Sequence, residues 1–136
     1  MDLSTLGLKT TATELVLHHP VTGDPLIDEA SGENVSISLV GTDSKDCIAE
    51  TRELQNNRLR KRMNARNGAS RFTAEDLEEN SLRLLAACTK SWKHVIVDGV
   101  EMPCTRDNVV ALYTRFPWIR EQVDSFVSDR EHFLGN

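Results

Sequence analysis

Long apolar runs are missing from this sequence. None approaches the roughly 18 residues a membrane-spanning helix needs, so no segment of the 136 residues is expected to cross a bilayer. Cysteine is scarce. Cys47, Cys88 and Cys104 are odd in number, and no two stand in a CxxC spacing. A disulfide framework or a zinc knuckle is therefore not expected, and a reducing cytosolic compartment suits the chain. The opening MDLSTLGLKT lacks the apolar stretch of a signal peptide. There is no G-x-S-x-G, no G-x-x-x-x-G-K-[ST] and no G-x-G-x-x-G, hence no nucleophile elbow, P-loop or dinucleotide loop. Positive charge is in the minority, 16 Lys and Arg against 21 Asp and Glu. The resulting net charge of -5 disfavours nucleic-acid binding by the chain as a whole.

What is present suits one folded domain over 1–136. With 39% hydrophobic and 27% charged residues, a core is feasible without staples. A β-rich part, 1–42, precedes a mainly helical part, 43–136, and no internal repeat is evident. Residues 13–27 read as strand, turn, strand, with Pro20, Gly23, Asp24 and Pro25 as turn formers. In 35–41, Val35, Ile37 and Leu39 alternate with Ser36 and Ser38, so the serines are expected to face water. Three strands within 13–41 would form a small antiparallel sheet covered by helices, giving an α+β fold.

From Gly41 the period changes. A helix is expected over 44–66, capped by Asp43 or Ser44, with Ile48, Leu59 and Met63 as its thin apolar stripe. Residues 67–70 are a break. Thr73 caps a helix expected over 73–92, whose stripe is Leu77, Leu84, Leu85, Cys88 and Trp92. Asp98-Gly99 marks a β-hairpin across 94–102, because both residues tolerate the positive φ of a type I′ turn. Thr105 caps a helix over 105–115. Pro117 opens the last helix, 117–133, at the position where its missing N–H costs nothing. Ile119, Val123, Phe126, Val127 and Arg130 form its stripe, and Gly135 stops it.

Residues that could carry chemistry are few. His18 and His19 are adjacent on an expected strand and point to opposite faces, and His94 and His132 stand alone, so no metal site is expected. Cys104 could be activated only by the helix N-terminus at Thr105, and no partner base is evident. No catalytic group or cofactor is expected. Arg58, Arg60, Lys61 and Arg62 form a basic patch, read as a solvated helix end, a contact for an acidic protein, or a phosphate contact. Phe116 and Trp118 flank Pro117. They either staple the start of the helix or offer an aromatic anchor to a partner. Trp118, Ile119, Gln122 and Phe126 are the expected partner-binding residues.

The C-terminal stretch 92–134 carries Trp92, Gly99, Thr105, Asn108, Leu112, Tyr113, Pro117, Trp118, Ile119, Gln122, Val123, Arg130 and Phe133. In these residues it resembles tail assembly chaperones of long-tailed bacteriophages and prophages. HPVTGDPL, 19–26, is similar to that family's N-terminal hairpin, and LVGTDSKDC to the junction that follows it. The resemblance implies a non-enzymatic assembly factor of the host cytoplasm that holds the tape measure protein soluble and helps recruit tail tube protein. It also implies absence from the finished virion and, in many members, a longer form made by translational frameshifting. The basic run 58–66 is outside the resemblance. Two alternatives stand beside it: a minor structural tail or connector protein, and a small nucleic-acid-binding regulator. Self-association is left open.

Overall fold

Gly41 is where the chain leaves its sheet, and it has no room for a side chain. A Cβ there would lie 2.9 Å from the Phe133 ring. The computed structural model describes residues 12–64, 73–129 and 132–133, with the backbone alone for 61–64. The break at 67–70, Arg130 and Gly135 lie outside the described residues, as do the side chains of Lys61, Arg62 and Met63.

The fold is α+β. Three antiparallel strands, β1 (Thr13–Val16), β2 (Ser36–Leu39) and β3 (Thr89–Lys93), pair in the order β1-β2-β3. Among the described residues four helices follow or interleave: α1 (Lys45–Asn64), α2 (Ala74–Cys88), α3 (Arg106–Arg115) and α4 (Pro117–Ser128). A hairpin of β4 (Ile96–Val97) and β5 (Val100–Glu101) joins β3 to α3. Ile37 on the central strand sits between Leu15 and Trp92, and with Leu39 it packs into a core shared with Leu85, Val109, Leu112, Tyr113, Val123 and Val127.

Two expectations about the sheet are corrected. Its third strand comes from 89–93, not from within 13–41, and Trp92 is on that strand instead of on a helix. The chain leaves α2 because Thr89 takes an extended backbone and its hydroxyl, 2.9 Å from the Leu85 carbonyl and 2.7 Å from the Tyr113 hydroxyl, ties the corner. Ser36, expected to face water, is 1% exposed on the central strand, while Ser38 on the same face is half-buried.

Local signals fared better. Thr73 closes a full capping box with Asp76, Thr105 accepts from the Asn108 N–H, and Ser44 accepts from the Cys47 N–H. Asp98 and Gly99 have φ of 54° and 78°, as the tight turn requires. Arg115 grips the Asp98 carboxylate through two bonds of 2.7 and 3.0 Å, which holds that carboxyl below its ordinary pKa.

The helix stripes need correction. On α1, Ile48 and Leu59 are 42% and 54% exposed, while Cys47 and Glu50 are the buried residues among the side chains described. Cys47 is disulfide-bonded to Cys88, 41 residues later, contrary to the expectation of unpaired cysteines, so cysteine usage no longer argues for a reducing compartment. The Glu50 carboxylate is 6% exposed and takes Arg83 at 3.1 Å and Arg106 at 2.8 Å. These two attachments, not apolar periodicity, turn the helix. On α2, Leu82, Leu85, Ala86 and Cys88 are buried, and Leu77 is exposed.

Candidate functional site

Residues 18–34 make a local device that the sequence reading missed. Residues 17–25, LHHPVTGDP, and 26–34, LIDEASGEN, are tandem nine-residue units. Leu, Thr/Ser, Gly and Asp/Glu recur at matching positions, so the expectation of no internal repeat is corrected. The backbone repeats too. Gly23 donates to the His19 carbonyl and His19 to that of Asp24, while Gly32 donates to Asp28 and Asp28 to Glu33. Both glycines have positive φ, 75° and 73°, which closes each four-residue loop at little steric cost. Side chains at the same position brace the two loops: His19 Nδ1 accepts from the Val21 N–H at 3.1 Å, and Asp28 Oδ2 from the Ser31 N–H at 3.2 Å.

The two arms spring from a hub closed on itself. The Leu17 N–H donates to Val35, Val35 to Leu26, and Leu26 to Leu17, at 3.0, 2.9 and 2.8 Å. Helix α4 meets this hub. Its residues Ile119, Val123 and Val127 are buried, and at the same spacing Trp118, Gln122 and Phe126 form the neighbouring, half-buried stripe. Gln122 reads the first arm like a strand: its Nε2 donates to the His18 carbonyl at 2.8 Å, and its Oε1 accepts the His18 N–H at 3.0 Å.

Two open grooves result. The first, about 540 Å³, runs between the first arm and α4 and is lined by Trp118, Gln122, Phe126 and Glu121 among others. At its end Phe126 stacks on the His132 ring, with centroids 4.2 Å apart. The second, about 490 Å³, lies between the second arm, the β4 strand and the α3–α4 corner, with Ile27, Ile96 and Phe116 on its walls. Trp118 lines both grooves. Its ring also meets Phe116 edge-on at 6.3 Å, so the staple and the exposed aromatic edge coexist in one residue. Three of the four expected partner-binding residues, Trp118, Gln122 and Phe126, thus share one groove. Ile119 does not join them: it is 5% exposed, and it contributes to the second groove.

His94, with a positive φ of 60°, anchors the second arm: its Nδ1 is 3.3 Å from Asp28 Oδ2 and its Nε2 3.4 Å from Glu33 Oε2. Among the described residues no group of three or more His, Cys, Asp or Glu is arranged to hold a metal ion. Cys104 lies just before the Thr105 cap, but burial raises its thiol pKa, the opposite of what a nucleophile needs. Arg58 and Arg60 are exposed on α1, and Arg58 lines a cleft that also contains Asp76 and Glu79, so carboxylates interrupt that basic surface. No helix among the described residues is long and apolar enough to cross a membrane. No protein-family model, curated protein or solved structure matches the chain.

Proposed function

We propose that this chain is a tail assembly chaperone of the kind made by long-tailed bacteriophages and prophages. It acts without catalysis in the host cytoplasm, binds the tape measure protein, and helps bring tail tube subunits to it. One observation carries the reading: α4 presents Trp118, Gln122 and Phe126 along an open groove, while its other apolar residues are committed to the core. A half-buried Trp on the wall of an open groove suits an interface anchor, and Gln122, bonded at both ends of its amide to His18, holds the opposite wall in place. A long helical client can lay an amphipathic face into such a groove. Trp118 and Gln122, two of the residues that carry the likeness to the chaperone family, line this groove.

The proposal expects a tape measure protein in the neighbouring reading frame, and co-expression with that product tests it. The expected result is a soluble client that co-purifies with the chain, and purified virions that lack the chain. A client that stays insoluble, or a chain retained in finished particles as a structural tail component would be, contradicts it.

A further inference from the structure

We infer that the two grooves flanking Trp118 accept one amphipathic helix that carries lysine or arginine beside its apolar anchors. The inference rests on this face being the client site and adds the chemistry of the segment it takes. Two observations carry it.

The first is the tandem repeat. Matching positions of the two units line the two grooves: 18–20 of the first unit line one, and 27–29 of the second line the other. The indole of Trp118 is common to both. Apolar groups stand in both grooves, Leu15 and Phe126 in the first and Ile27, Ile96 and Phe116 in the second, so a ligand with two apolar anchors fits on either side of the shared aromatic. Successive apolar residues on one helix face supply such a pair.

The second is charge. Glu121 and Asp129 line the first groove and Asp28 and Glu29 the second, with Asp28 facing His94 and Asp129 facing His132, and among the described residues no lysine or arginine lines either groove. An acidic helix would bring like charges together at the rim, whereas a basic one meets opposite charge wherever its flanks pass. The chain's own net charge of -5 adds to the same preference.

The test uses the full chain and two acetylated, amidated peptides of about 18 residues, roughly 27 Å when helical. One is built from Leu and Lys in an amphipathic pattern, and the other replaces every Lys with Glu. Calorimetric titration is expected to detect the lysine peptide with one peptide per chain, and to detect no binding of the glutamate peptide. Glu29→Lys and Glu121→Lys change exposed side chains, one beside each groove. Each is expected to weaken the lysine peptide about threefold to tenfold, with the double variant weaker than either. Equal binding of the two peptides, or sensitivity to only one substitution, overturns the inference. So does a self-associated chain that must dissociate before the peptide binds, which would give the face to a second copy. Binding of the tape measure client that is lost in Trp118→Ala but indifferent to both charge reversals would leave the client site standing and overturn only the basic-helix assignment.

Discussion

Helices α1 and α4 are held to the same body by opposite means. In α4, a 12-residue helix, three residues at regular spacing are buried, and a fourth side chain, Gln122, ties it to the first arm. In α1, a 20-residue helix about 30 Å long, attachment comes from a disulfide and a buried carboxylate, while large apolar groups face water. Apolar periodicity positions α4. Specific cross-links position α1. Burial of a regular stripe leaves α4 with a second stripe whose orientation is fixed, which a docking face requires.

Truncation should break that contrast most visibly. Ile119→Ala removes a core contact and is expected to cost about 2–5 kcal/mol of unfolding free energy in urea. Ile48→Ala on α1 should cost no more than about 0.5 kcal/mol, since its side chain is already in water. Equal losses would mean that α1 is packed as α4 is.

Next in size is the cross-link. Replacing Cys47 and Cys88 with Ser frees the unfolded chain across a separation of 41 residues, an expected loss of about 2–4 kcal/mol. Thermal unfolding of the unmodified chain with and without reductant should reproduce the difference. A melting temperature indifferent to reductant would remove the disulfide from the account of α1.

Glu50→Gln keeps the shape and removes the charge that two guanidiniums share. Both arginines reach water and can be resolvated, so the expected cost is about 1–2 kcal/mol, smaller than for a fully enclosed pair. A double-mutant cycle with Arg106→Ala should show coupling between the two sites, and strict additivity would mean that the pair does not hold α1.

The smallest effect belongs to the basic end of α1. Arg58→Ala with Arg60→Ala should change stability by less than about 0.5 kcal/mol, because both side chains are exposed. A large fall in melting temperature would reveal a network at that end of the helix.

The same contrast explains what could be read from the sequence. Caps and turns act within a few residues, so Thr73, Thr105, Pro117 and Asp98-Gly99 were all legible. Ile119, Val123 and Val127 of the inward α4 stripe are legible because apolar periodicity holds that helix, while Phe126, expected with them, falls on the neighbouring half-buried stripe. The face of α1 was not, because Cys47 and Glu50 turn it, and neither stands out in a hydrophobic pattern. Strand β3 was taken for helix because its fate is set by partners far along the chain: Ile37 opposite Trp92, and the Met102 carbonyl 2.7 Å from the Trp92 indole nitrogen. The tandem arms were hidden by substitution. Leu and Gly recur unchanged, but Thr becomes Ser and Asp becomes Glu, and His19 does with a ring nitrogen what Asp28 does with a carboxylate. Trp118 was visible as an anchor or a staple, and it took the fold to show that one indole meets Phe116 and borders both grooves.

The proposed docking face has Trp118 on both of its grooves, so removal of that side chain is the most direct measurement. Trp118→Ala is compared with the unmodified chain by calorimetric titration against a purified segment of the proposed tape measure client, with circular dichroism and thermal unfolding on the same samples. The account predicts a folded variant, since the helix retains its three buried residues, and a loss of about 2–4 kcal/mol in affinity, thirtyfold or more. A folded variant that binds normally, or one that fails to fold because the indole serves only as a staple for α4, would contradict it.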